Sequence, residues 1–347
     1  MITPKKAPPR LVAFETTAAC NLACRHCRAV AQPKPSPSEL DPTEAATLVK
    51  RLAEWTPPPM LILSGGEPLL RPDIVDLAAL ATSLGLRALL STNGTLLTPA
   101  LAKKLKTAGV ARVSLSLDGP TKGEHDDFRG AIGAYEGLIQ GAAILLAAGL
   151  PFQINTTITP LNVHQLGAIS AVATDLGAVA HHVFLLVPVG RAKDWLAPLD
   201  LDFEPERYET ALKDLLSRES SFNLEFKATC APQYNRLRRQ LGVLERRPLS
   251  RGCLGGQGFM FVGQDGRVQA CGYLPLVAGD IRRDHPIEIY DDSPLFKSLR
   301  RREGYHGSCG DCEYWPVCGG CRARAHAAGD YLGPEPLCPY QPTRKAS

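Results

Sequence analysis

The apolar positions of this chain switch repeatedly between two periods. Short apolar stretches, "LVAFET" (11–16), "MLILSGGEP" (60–68), "LRALLSTNG" (86–94), "VARVSLSLDG" (110–119), "FQINTTI" (152–158) and "HHVFLLVPVG" (181–190), each predict a strand. Between them "PTEAATLVKRLAEW", "DIVDLAALATSLG", "PALAKKLKTAG", "GAYEGLIQGAAILLAAG" and "LNVHQLGAISAVATDLG" place apolar residues at helical spacing, most of them stopped by glycine. Strands alternating with helices predict an α/β protein with a parallel sheet wound by right-handed crossovers. Five of the six strands end on special residues: a cysteine run, GGEP, STNG, SLDG and VPVGR. The carboxyl ends of parallel strands are where α/β folds carry their chemistry, and glycines there let backbone approach a ligand.

After Arg191 the pattern changes. Residues 203–220 read as a helical connector, and 236–251 hold Arg236, Arg238, Arg239, Arg246, Arg247 and Arg251. From residue 253 the chain is rich in glycine and cysteine, and "GFMFVGQDGRVQAC" predicts a hairpin turning at Asp265-Gly266. The expected division is 1–200, 201–252 and 253–347, the last a metal-stapled domain.

Composition narrows the class. With 44% hydrophobic and 21% charged residues the chain reads as an ordinary folded protein, and no apolar run reaches the roughly 18 residues of a membrane span. "MITPKKAPPR" is followed by no apolar signal region, so a cytoplasmic protein is expected. A net charge of +4 is too mild to argue for nucleic acid, but it suits an acidic small substrate if the cations cluster. Eleven cysteines, an odd number at metal-like spacings, read as iron or zinc ligands rather than disulfides.

The first three, Cys20, Cys24 and Cys27 in "CNLACRHC", raise a question of valence. A structural zinc or an electron-transfer cluster takes four protein ligands. Three thiolates leave one position open to a substrate or cofactor. Zinc with a histidine is the alternative, but His26 lies too near in sequence to be the natural fourth ligand.

C-x3-C-x2-C directly after a first strand resembles the signature of the radical S-adenosylmethionine (SAM) superfamily. The resemblance implies a partial (β/α)6 barrel and a 4Fe–4S cluster whose open iron binds SAM. It places Gly65, Gly66 and Glu67 of "GGEP" at the methionine amino group, with Glu67 and backbone carbonyls as acceptors. It puts Ser116 and Asp118 of "SLDG" near the ribose or methionyl part, Arg129 of "HDDFRG" at the SAM carboxylate, and His26 beside adenine. The implied chemistry is reductive cleavage of SAM to methionine and a 5′-deoxyadenosyl radical, which abstracts hydrogen from an unactivated carbon.

Cys253, Cys271, Cys309, Cys312, Cys318, Cys321 and Cys338 resemble the SPASM extension of such enzymes, which carries one or two auxiliary 4Fe–4S clusters. The departure is "CGGC", where the last gap of the usual C-x2-C-x5-C-x3-C is one residue short. The resemblance assigns Cys309, Cys312, Cys318 and Cys338 to one cluster. Cys253, Cys271 and Cys321 go to a second, with Cys230 of "KATCAP" a candidate fourth ligand and three ligands with an open iron the alternative. A zinc ribbon is the other reading of such pairs.

"ETTAACNLACRHCRA", "FLLVPVGRA", "FKATCAP", "RGCLGG" and "CEYWPVCGGCRARAHAAGDYLGPEPLCPYQP" together resemble the haem-synthase branch of alternative haem biosynthesis. That resemblance implies oxidative decarboxylation of two propionates of iron-coproporphyrin III, with the Cys309 cluster as electron acceptor. An external donor such as flavodoxin or ferredoxin is expected, and neither nucleic acid nor membrane. Arg191, Lys227 and Arg251 are the candidate propionate partners, with the arginine-rich segment behind them, and His181 or His182 could ligate the iron. The alternatives are acetate removal or the haem d1 pathway, a peptide-modifying SPASM maturase, and a non-catalytic iron–sulfur scaffold.

Overall fold

The computed structural model describes residues 6–196, 204–219, 224–243 and 251–343. Seven parallel strands run in chain order: β1 (Leu11–Glu15), β2 (Met60–Ser64), β3 (Arg87–Ser91), β4 (Arg112–Ser116), β5 (Phe152–Ile158), β6 (Ala180–Leu185) and β7 (Glu225–Thr229). Helices α1 (Pro42–Leu52), α2 (Ile74–Ser83), α3 (Pro99–Thr107), α4 (Lys122–Arg129), α5 (Ala134–Ala148) and α6 (Leu166–Asp175) connect the first six. All six predicted strands form, because each offers one apolar face to these helices. On β2 and β4, Leu61, Leu63, Val113 and Leu115 are fully buried beneath them. The opposite face, with Ser64, Ser114, Ser116 and Asn155, lines a half-buried lumen.

Helix starts are specified locally. Asp41 caps α1 by accepting from the Glu44 amide at 2.8 Å, while the Glu44 carboxylate accepts from the Asp41 amide at 3.0 Å. Helix α4 lies where "HDDFRG" suggests only a loop. It is too short and polar to show a stripe, yet Thr121 caps it and Gly130, at φ 63°, ends it. Arg129 is therefore the last residue of a helix.

Two features depart from expectation. The segment 201–252 is more than a helical connector: β7 pairs with β6, His182 beside Lys227. Its charged lumen face, Glu225 and Lys227, hides the strand from a hydrophobic reading. The predicted hairpin, β8 (Phe259–Val262) and β9 (Arg267–Cys271), does turn at Gly266 (φ 84°). It also continues antiparallel into β10 (Leu274–Asp280), and β8 pairs in parallel with β1, Ala13 beside Phe261. The change of composition at residue 253 is thus crossed by a ten-stranded sheet. Arg246 and Arg247 lie outside the described residues. Among the described residues no single helix is long and apolar enough to cross a membrane.

Candidate active site and auxiliary metal centres

The Cys20–Cys27 loop leaves β1 and is held by its neighbours' backbone. Cys20 N donates to Gln32 O at 2.7 Å, Gly66 N to Thr17 O at 2.7 Å and Glu67 N to Ala19 O at 2.7 Å. A side chain at position 66 would come within 2.3 Å of Ala19 O, so only glycine permits this approach. Gly190 (φ 58°) presses from β6 in the same way, its absent Cβ lying 2.5 Å from Cys27 O. Arg191 clamps the loop, Nε donating to Cys24 O at 2.8 Å and Nη1 to Ala31 O at 3.0 Å. The residue expected at a propionate thus gives two of its nitrogens to the cysteine loop, while its buried Nη2 has no partner.

Glu67 also differs from expectation. Its buried carboxylate accepts from Thr92 Oγ1 at 2.7 Å, Asn93 N at 2.8 Å and Leu69 N at 3.1 Å. It braces the STNG turn rather than facing open space, and burial pushes its carboxyl above the usual range. Gly65 and Gly66 supply backbone at the loop, as anticipated.

Asp118, Arg129 and His26 do come together. Asp118 Oδ1 accepts from Thr157 N at 2.6 Å, and Oδ2 pairs with Arg129 Nη2 at 2.6 Å. Burial opposes the charged carboxylate, but Arg129 outweighs it and holds the group below its usual range. Arg129 Nη1 donates to Cys24 Sγ at 3.6 Å, so the guanidinium bridges this carboxylate and the cysteine loop. His26 stands 3.9 Å from Asp118 Oδ2, its ring 4.8 Å from Phe128, which in turn meets Trp195 edge-on at 5.3 Å. Burial lowers its pKa to about 4, so the ring is neutral. Ser116 is half-buried on the lumen face at the end of β4. Sequence reasoning missed Phe128 and Trp195; Phe128 sits one residue before Arg129 and was its available signal.

His181 is structural. It is fully buried outside the lumen, its two nitrogens paired with Thr156 Oγ1 at 2.8 Å and Ser170 Oγ at 3.1 Å. His182 faces the lumen, with Nδ1 2.9 Å from Gln153 Nε2.

Beyond the barrel the thiols form two quartets. Cys309, Cys312, Cys318 and Cys338 border one cavity together with Arg236, Trp315 and Tyr340. Around it, buried Trp315 Nε1 and Arg236 Nε have no acceptor, and Arg322 Nη2 donates to Cys309 Sγ at 3.4 Å. Orphaned donors around four thiols fit a sulfide-bearing cluster, whose sulfurs accept such bonds. Cys230, Cys253, Cys271 and Cys321 form the second group, close enough to act on one another electrostatically. Cys230 adopts a left-handed φ of 52°, strain that suits a ligand position. Glycines 319 and 320 at φ 76° and 61° account for the shortened gap: two left-handed turns send Cys318 to one quartet and Cys321 to the other.

The donor set itself fits a metal centre. Burial pushes Cys20 to about 11 and Cys271 to about 12, so neither would ionise near neutrality without a metal. Among the described residues no three His, Cys, Asp or Glu converge tightly enough for one metal ion. Cys309, Cys312, Cys318 and Cys338 instead border a cavity. Cys20, Cys24 and Cys27 would hold the cluster with the open position, and the two quartets the auxiliary clusters.

Arg251 belongs to this region and is not brought to the lumen with Lys227. It stacks on Trp315 at 3.8 Å, donates to Gln257 at 3.0 Å, and crowds Gly319. Arg236 is buried against Glu209, and Arg238 pairs with Glu219 at 2.6 Å. Among the described arginines of that segment, Arg236 and Arg251 pack into the thiol region, Arg238 is held in an ion pair and Arg239 is exposed. Sequence reasoning also missed the junction between the two thiol regions. Arg28 pairs with Glu15 at 2.7 Å, donates to Gly272 O at 3.1 Å and lies over Phe261 at 4.7 Å. Tyr273, its ring 5.8 Å from the Arg28 guanidinium, is within electrostatic reach of Cys27, Cys230 and Cys271.

A parallel lumen with an open-valence cysteine loop at its mouth and closed thiol quartets beside it defines a class, and sequence comparison agrees. Residues 14–170 match the radical SAM superfamily, and residues 253–313 match SPASM, an iron-sulfur cluster-binding domain. The chain belongs to the radical SAM/SPASM enzymes. Their cofactors are a 4Fe–4S cluster that binds SAM and auxiliary clusters; bound together, the first two supply a 5′-deoxyadenosyl radical. Within that class it belongs to the haem-synthase branch. It is 45% identical to the AdoMet-dependent heme synthase of Methanosarcina barkeri over 97% of this chain and 98% of that protein. The Fe-coproporphyrin III synthase of the same organism is 31% identical over 94% of this chain and 87% of that protein. The fold matches Streptococcus suis SuiB bound to S-adenosylmethionine with a TM-score of 0.73 at 16% identity, over 96% of this chain and 78% of that one. The protein is a radical SAM enzyme of haem biosynthesis.

Proposed function

We propose that the enzyme oxidatively decarboxylates two propionates of iron-coproporphyrin III to vinyl groups, yielding haem b. The observation that carries this reading is the near full-length similarity to heme synthases, stronger than to the Fe-coproporphyrin III synthase. At each propionate the radical takes one hydrogen atom from the carbon β to the carboxylate, giving 5′-deoxyadenosine. The substrate radical then loses CO2 and one electron and becomes the vinyl. The electron leaves toward the thiol quartets. Tyr273 lies within electrostatic reach of Cys27 and of Cys230 and Cys271, which supports the group holding those two thiols as the first acceptor, ahead of the Cys309 quartet. A flavodoxin or ferredoxin in the cytoplasm supplies the electron that starts each turnover.

Asp118 and Arg129 position SAM in this scheme. Arg129 carries the positive charge for its carboxylate, and Asp118 keeps that guanidinium in place beside Cys24. The test is anaerobic incubation with SAM, dithionite and iron-coproporphyrin III, followed by mass analysis. A mono-vinyl species should rise and decay, with one 5′-deoxyadenosine formed per vinyl. Loss of acetates from a different iron tetrapyrrole, with iron-coproporphyrin III untouched, would move the enzyme to the neighbouring step.

A further inference from the structure

Below the cysteine loop the lumen carries polar groups that the radical site does not use. His182, Lys227 and Arg112 project onto the lumen face, on the alternation that turns His181 and Phe226 outward, ring to ring at 5.7 Å. Register sets His182 between Asn155 and Lys227. A chain of hydrogen bonds fixes which of these groups donate. Arg112 Nη1 donates to Gln153 Oε1 at 3.3 Å, which assigns the other end of that amide as its NH2. Gln153 Nε2 then donates to Asn155 Oδ1 at 2.9 Å and to His182 Nδ1 at 2.9 Å.

The His182 ring is neutral, its pKa lowered to about 3 by burial and by Lys227 and Arg112. With Nδ1 accepting, its single proton sits on Nε2. That Nε2 is buried and has no partner, so it is a donor without an acceptor and not a free lone pair for iron. Lys227 is exposed to solvent, and burial of its surroundings lowers its pKa from the ordinary lysine value. No carboxylate among the described residues forms an ion pair with it. Glu225, the nearest acid along the strand, lies 3.6 Å from Arg112 and is half exposed, and Arg10 adds further positive charge near Lys227. Here donors and cations exceed acceptors.

We propose that His182, Lys227 and Arg112 form a carboxylate-binding subsite that holds the propionates the enzyme leaves intact. This rests on the porphyrin reading above. The macrocycle is a rigid disk: the two propionates that become vinyls lie on one edge, and the two retained lie on the opposite edge. Hydrogen abstraction takes place at the carboxyl ends of the strands, by Cys20, Cys24 and Cys27, so the retained edge points down the lumen toward these donors. A half-turn of the disk about its meso axis exchanges the two retained propionates within the same subsite and turns the second reacting ring toward the radical, its propionate arriving at the β position next to the one the first occupied. One anchor thus serves both decarboxylations.

The test is equilibrium binding, by absorption titration of the cluster-loaded protein without SAM. The probes are iron-coproporphyrin III, with four propionates, and haem b, which keeps only the retained pair. Lys227→Met should weaken both by the same factor, ~10- to 100-fold for a lost charge-assisted bond, and Lys227→Arg should restore most of it. His182→Phe should weaken both by a smaller common factor, with iron content and circular dichroism unchanged. A loss confined to iron-coproporphyrin III would assign these groups to a reacting propionate and overturn the proposal, as would unchanged affinity for both. Failure of the unsubstituted protein to bind either porphyrin would overturn the porphyrin reading, and this subsite with it.

Discussion

Cys20, Cys24 and Cys27 lie on one loop of eight residues, whereas the other eight thiols come from segments scattered between residues 230 and 338. The two regions are stabilised differently. The short loop is shaped from outside: Gly66 and Gly190 press backbone against it, and Arg191 ties its carbonyls. It has three thiols and no fourth, which leaves a coordination position for SAM. The scattered thiols are gathered by a buried network. Arg324 pairs with Glu335 at 2.8 Å and donates to Cys230 O at 2.5 Å and Leu185 O at 3.2 Å, while Glu335 accepts from Cys321 N at 2.6 Å. Arg324 thus joins β6 to both ends of the second quartet. Open valence is a local property of one loop here, and closed valence is a product of tertiary assembly.

The largest expected effect separates the two regions outright. Replacing Cys20, Cys24 and Cys27 by alanine should reduce 5′-deoxyadenosine formation to background, measured by chromatography. The quartets should keep roughly eight irons per chain by metal analysis. Persistent SAM cleavage in that variant would dissolve the distinction between the regions.

Next comes the keystone of the scattered site. Arg324→Met leaves Glu335 as an unpaired buried charge, which costs about 3–5 kcal/mol. Thermal unfolding should shift down accordingly and auxiliary iron should fall, while Lys at the same position should rescue neither fully because it lacks the planar fork. Normal auxiliary iron in the methionine variant would mean the quartets assemble without this network.

Arg191 sharpens the comparison from the loop side. Arg191→Ala removes two charge-assisted bonds to carbonyls, each worth about 1.5–3 kcal/mol. SAM affinity and occupancy of the first cluster should fall, with porphyrin affinity preserved when measured by absorption titration. A tenfold loss of porphyrin affinity at full cluster occupancy would return Arg191 to the substrate.

The smallest effect lies outside both regions. Asp41→Ala deletes the cap of α1 and should lower stability by about 1 kcal/mol in denaturant melts, leaving iron content and SAM cleavage unchanged.

Much of this was legible in the chain. Six strands announced themselves because burial against helices demands a continuous apolar face, and that demand is written in consecutive residues. The open-valence loop was legible for the same reason: Cys20, Cys24 and Cys27 are near neighbours, and so are the glycines of GGEP. Strand β7 escaped notice because its lumen face is charged, and α4 because eight mostly polar residues show no stripe. The partners of Glu67, Arg191 and Arg251 were not legible either. Each was a plausible ligand-binding group from its type and position, and each is engaged, wholly for Glu67 and in part for the two arginines, by backbone or side chains from elsewhere in the chain. Residue type states what a group can bind. Only the fold, by bringing Thr92, Cys24 or Trp315 within bonding distance, decided what it does bind, because long-range contacts are selected by the packing of the whole sheet and leave no local pattern.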